Sequence, residues 1–237
     1  MKTPQLKITV PALALGILSL AASSQASLIT SSAGLPPVGG AYMTPADVHA
    51  TYGGGALTII LSQLQHQPFA GGSSHPTGVA GDEQEDFNSG MSGLVSVNGG
   101  ATQPASANGP VTTLVHNKIG NTTGTFATEM LQMNLNGTAP GLPPFMIRES
   151  PTKQSLGQTS ITDIGGGFYK IDSFFDVFTE LSIDGGSSWM PQIAEAGQPV
   201  PGAAHVILVP EPASVSLLAA GFVGMVGFVR RRRSAVA

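Results

Sequence analysis

The sequence predicts a mainly β protein: an antiparallel β-sandwich body with one short N-terminal helix, followed by a C-terminal transmembrane helix. Three observations carry this. The chain has few charged residues, many Thr, Ser, Val and Ile, and 31 glycines and 18 prolines in 237 residues. That composition suits short strands joined by many turns, and it stays below the roughly 25–30% Gly and Pro of low-complexity disorder. Several stretches alternate apolar and polar residues, most clearly Phe174 to Ile183, where Phe175, Val177, Leu181 and Ile183 share one face. Near the C-terminus, Ala213 to Val229 is an uncharged run.

Residues 1–26 have the pattern of a signal peptide. Lys2 and Lys7 give a positive start, Ile8 to Leu20 is apolar apart from Thr9 and Ser19, and Ser24-Gln25-Ala26 places small residues where cleavage after Ala26 needs them. Residues 27–43 follow as a flexible leader, and residues 44–209 form the body. Thr44-Pro45-Ala46-Asp47 predicts a helix start, with Thr44 as cap and Pro45 in the first turn. Gly53-Gly54-Gly55 stops that helix early.

Strands are then expected over 57–64, 92–97, 111–116 and 125–135, with an edge-like strand over 143–148. Ala70 to Asp86 reads as a long loop carrying an acidic cluster. Residues 160–164 and 168–172 flank Gly165-Gly166-Gly167 as a hairpin, 174–183 is the strongest strand, and 204–209 is the last before the tail. No internal repeat of 20–50 residues is visible.

The whole chain carries a formal charge of −4. Between residues 27 and 209, four basic residues face thirteen acidic ones, so the body is far more acidic, at −9. This argues against nucleic acid or anionic lipid as partners, which need basic patches. There is no cysteine, hence no disulfide framework and no thiolate metal site.

The tail runs Pro210-Glu211-Pro212, then the apolar stretch 213–229, then Arg230-Arg231-Arg232-Arg233 and a stub over 234–237. A helix of that apolar length spans roughly 26 Å, at the short end for a bilayer. The arginines set its orientation, with their end inside. These parts, in this order at the C-terminus, resemble the PEP-CTERM sorting signal of Gram-negative bacteria, here over 210–233. The resemblance implies export, transient residence in the inner membrane, and cutting near Pro-Glu-Pro by an exosortase, a membrane cysteine protease. It also implies an exopolysaccharide producer. The chain would be the substrate, so no catalytic residue carries over. Residues 147–157 and 171–189 also resemble stretches of other PEP-CTERM proteins that have no assigned activity.

Ser182-Ile183-Asp184-Gly185-Gly186-Ser187-Ser188-Trp189 resembles an Asp-box. Its chemistry is local: Asp184 accepts backbone N–H groups of the turn, Gly186 takes positive φ, and Trp189 packs beside the hairpin. A structural turn is expected, because turn residues of this kind need no ligand.

Asp82-Glu83-Gln84-Glu85-Asp86 has carboxylates for calcium but lacks the spacing of a calcium loop, so it reads as a solvated acidic loop. His49, His66, His75, His116 and His205 show no metal spacing and read as surface or turn residues. No catalytic residue, metal site or cofactor is expected.

The function expected is that of an exported, non-enzymatic protein of the cell surface or extracellular matrix. Its partners are the secretion machinery and exosortase, transiently, with the membrane contacted through the C-terminal helix before processing. The alternative is a carbohydrate-binding module for exopolysaccharide, whose aromatic platform must come from Tyr42, Tyr52, Tyr169 or Trp189. A glycan hydrolase with two facing carboxylates is less favoured.

Overall fold

The computed structural model describes residues 27–45, 48–54, 56–68, 72–194 and 198–210. Strands β1 (Leu28–Thr30), β2 (Gly40–Met43), β3 (His49–Gly54) and β4 (Leu57–Pro68) come first. Then come β5 (Ser73–Pro76), β6 (Glu83–Val97), β7 (Gln103–Val115) and β8 (Gly124–Thr138). The second half holds β9 (Phe145–Glu149), β10 (Ser155–Gly165), β11 (Phe168–Val177), β12 (Thr179–Ser182), β13 (Met190–Pro191) and β14 (Ala204–Pro210).

All pairings are antiparallel. β11, β14, β2, β4, β6, β7, β8 and β10 each pair with the next, and β10 returns to β11. The sheet is thus a closed eight-stranded barrel, not the expected sandwich. Alternating strands bury one face equally well in either architecture, but closure leaves the ring no free edge. The pairs that close it, such as Phe174 with Ile207 and Val209 with Ala41, join segments far apart in sequence.

Several wall strands are interrupted rather than ended. β9 and β10 both pair with β8, and β12 and β11 pair with them in turn across the break at Phe178. Ser150 N–H donates to the Phe178 carbonyl at 2.7 Å and bridges that break. β2 and β3 likewise both pair with β4, separated at Thr44.

That separation is where the short N-terminal helix was expected. Thr44 does act as a cap, but for a strand break: Leu64 N–H donates to Thr44 Oγ1 at 3.0 Å, and Thr44 N–H donates to the Leu64 carbonyl at 3.0 Å. The next residues form β3, because Ala50 and Tyr52, each 1% exposed, alternate into the core while β4 supplies the ladder. Pairing with a neighbour overrides a local helix start. The stretch expected as a leader holds β1, paired with β11, and β2 in the barrel wall.

No helix long and apolar enough to cross a membrane occurs among the described residues. The expected transmembrane helix, 213–229, lies outside them.

The interior is layered. At one end Leu28, Val115, Phe126, Ile161, Ile171 and Leu208 pack together. Towards the other end lies a larger cluster that includes Leu61, Met91, Val111, Met133, Phe175 and Val206. On β7, Thr113 lies between Val111 and Val115; on β11, Ser173 lies between Ile171 and Phe175. Thr128 lies two residues from Phe126, and Thr159 two from Ile161. Because the strand period is two, these side chains form a polar belt between the two apolar layers.

Candidate functional site

Thr113, Thr128 and Thr159 of the polar belt line a cavity of about 70 Å³ inside the barrel. That is room for several waters or a small ligand. β6 brings Glu85 to it, opposite Thr113 of β7. Glu85 is only 2% exposed; its Oε2 accepts from Thr113 Oγ1 at 3.2 Å, while its Oε1 has no partner among the described residues. Burial, reinforced by Glu83, pushes its carboxyl up to about 8, against the pull of Thr113 and Lys118. Thr128 Oγ1 is buried and equally unpartnered. Elsewhere in the belt the bonds are made: Tyr42 Oη donates to Ser173 Oγ at 3.0 Å, and Ser173 Oγ shares a 2.7 Å bond with Thr159 Oγ1.

His66 of β4 also lines the cavity, with Nδ1 3.2 Å from Ser89 Oγ. Burial lowers its pKa to about 4, so the ring is neutral near pH 7. Deeper in the larger apolar layer, Tyr52 Oη and Thr179 Oγ1 lie 2.7 Å apart, and Thr179 Oγ1 donates to Gln192 Oε1 at 2.9 Å.

The acidic cluster is therefore not a solvated loop. Asp82, 5% exposed, accepts from Asn117 N–H at 2.9 Å and pairs with His116 Nδ1 at 2.9 Å, tying the β7–β8 turn to β6. Asp86 accepts from Thr112 Oγ1 at 2.7 Å, and Glu83 accepts from Ser74 Oγ. The carboxylates point to different partners because successive strand residues face opposite sides. His66 departs from the surface reading too, since it faces the interior. Alternation was the available signal: Glu85, Phe87, Ser89 and Met91 fall on one strand face and all line the cavity.

The Asp-box-like stretch is the β12–β13 turn. Asp184 Oδ1 accepts from Ser188 N–H at 2.9 Å and from Ser182 Oγ at 2.8 Å, and Oδ2 accepts from Ser188 Oγ. Ser182 Oγ accepts from Gly186 N–H at 2.9 Å. Gly186 has φ +89°, which a side chain resists. These hydrogen bonds, with Ser188 foremost, hold the Asp184 carboxyl down at about 2. Trp189 donates Nε1–H to the Gly186 carbonyl at 3.1 Å. The Arg148 guanidinium lies 4.0 Å from the Trp189 ring centre and pairs with Glu180 at 2.6 Å.

Of the sorting residues, Pro210 is the end of β14, paired with Gly40. Glu211, Pro212, Arg230 to Arg233 and the signal-cleavage residue Ala26 lie outside the described residues. The turn and Pro210 are separate features, and neither lines the cavity.

Residues 208–233 match the PEP-CTERM protein-sorting motif. No curated protein and no solved structure matches the chain significantly. The motif supports an exported exosortase substrate, anchored transiently in the membrane before it is cut. Its match begins at Leu208, a buried residue of the barrel core, so motif and barrel wall overlap by three residues.

Proposed function

We propose that the chain is a non-enzymatic barrel protein delivered to the cell surface or extracellular matrix by its sorting tail. The observation that carries this is the sorting motif, which begins within the last wall strand. A tail so placed leaves no spacer for a second folded unit between barrel and cut site. The acidic body suits a solvated, polyanionic setting, where like charge limits non-specific adhesion. Polar side chains such as Asp184, Glu180 and Asp82 are taken up by local hydrogen bonds and ion pairs.

The exopolysaccharide-binding alternative has weaker support. Tyr42 and Tyr52 line the interior cavity, Tyr169 is partly buried against the smaller apolar layer, and one face of Trp189 lies under Arg148. A sugar platform needs an exposed, uncovered ring face.

The test is fractionation of the producing cell with an antibody against the barrel. The proposal expects the protein at the surface or in the matrix. A variant truncated after Pro210 is expected in the medium or periplasm. Equal surface retention of the truncated form would remove the tail from the account.

A further inference from the structure

We propose that the barrel interior binds one small, neutral, largely apolar molecule bearing a hydroxyl group, with that hydroxyl seated on the Glu85 carboxyl and its hydrocarbon among Met91, Val111 and Met133. This goes beyond sorting and does not depend on it. An eight-stranded barrel is just wide enough either to be filled by its own side chains or to hold one small ligand. Here the filling is incomplete, and the cavity lies against the polar belt. A cavity that stays empty is lined by apolar groups. This one meets two buried oxygens without partners, Glu85 Oε1 and Thr128 Oγ1. Buried polar atoms are nearly always hydrogen-bonded, so an orphaned carboxyl oxygen facing a cavity points to a missing partner.

The chemistry of that partner follows from its surroundings. Lys118 pulls the Glu85 carboxyl down, but its ammonium is engaged with the Asn121 carbonyl and lies over the Phe126 ring. The cavity lining has no Lys or Arg, so an anionic head would be buried without a counter-charge and is disfavoured. A neutral hydroxyl both donates and accepts, and it matches a carboxyl and a threonine hydroxyl that can do the same. The remaining lining is soft: methionine side chains adapt to the shape of an occupant. Outside the wall strands the lining is Leu35, Pro36 and Pro37, from the segment joining β1 to β2.

The experiment uses the full chain labelled with ¹³C at the methionine methyls, titrated with three probes of similar size: 1-butanol, pentane and butylammonium. Met43 and Met146, which do not line the cavity, serve as internal controls. The expected result is a saturable shift of the Met91 and Met133 methyls with 1-butanol, at least tenfold weaker with pentane and absent with butylammonium. Glu85→Gln should keep the fold and weaken 1-butanol several-fold. Ala204→Ile, which fills the cavity from β14, should abolish the shift. Equal response to pentane, or tighter binding of butylammonium, would overturn the assignment of a neutral hydroxyl. No saturable shift at Met91 and Met133, or equal shifts at all methionines, would overturn the site itself.

Discussion

Pro210 of β14 stands opposite Gly40 of β2, so the residue that opens the Pro-Glu-Pro motif is also a residue of the closed barrel wall. A side chain at position 40 would lie 2.7 Å from Leu208 Cδ1 and 3.0 Å from Leu28 Cδ2. The glycine lets the last strand close the ring.

Gly40→Val should therefore destabilise the barrel by about 1–3 kcal/mol, the usual cost of forcing extra volume into a packed core. Leu208→Ala empties the same contact and should cost about 2–5 kcal/mol. Chemical denaturation followed by circular dichroism measures both. Wild-type stability in both variants would mean that the tail-proximal strand is not part of the cooperative fold.

Glu85 sets an alkaline limit. Its folded pKa, about 8, lies above the ordinary carboxyl value, so the folded state holds a proton that the unfolded state has lost. The stability this gives is fully present below about pH 4.5 and is lost as pH rises through 8. Between pH 5 and 8 the slope from this one group approaches about 1.4 kcal/mol per unit. Glu85→Gln should flatten the profile there. An unchanged slope in that variant would assign the pH dependence elsewhere.

His66 sets an acid limit of opposite sign. Its folded pKa, about 4, lies below the ordinary value, so the unfolded state takes up the proton first. Its contribution is present above about pH 6.5 and lost as pH falls through 4. His66→Gln should reduce the loss of stability between pH 6.5 and 4, measured by thermal melts across that range. A steeper loss in the variant would contradict a buried neutral ring.

The turn at Asp184 should behave as a local brace. Asp184→Ala removes the acceptor of two Ser188 bonds and should lower the melting temperature modestly, with the difference shrinking as pH falls from about 4 through about 2. Trp189 is only partly buried, so Trp189→Ala should cost less than the roughly 3–5 kcal/mol of a fully buried aromatic. Equal melting temperatures for wild type and Asp184→Ala at neutral pH would remove the turn from the stability account.

Much of the strand layout was legible because burial alternates visibly. Phe175, Val177 and Leu181 are 6%, 4% and 1% exposed, as their spacing predicts. Closure was not legible, since nothing in Ala204 to Pro210 marks both β11 and β2 as neighbours. The helix expected after Thr44 failed because a capping hydroxyl serves any chain break that leaves an N–H free, and Leu64 supplied one. The cavity was not legible for a related reason. Composition makes Asp82 to Asp86 look solvated, while the strand period turns Glu85 inward and Gln84 and Asp86 to the other face. Sorting was legible because its signal is linear and needs no folding to be read.

The most direct test of the sorted-barrel account is the intact mass of the protein recovered outside the cell. The account predicts a chain that begins at Ser27, keeps the barrel wall, and ends before Arg230. A chain that retains Arg230 to Arg233 throughout growth would contradict it.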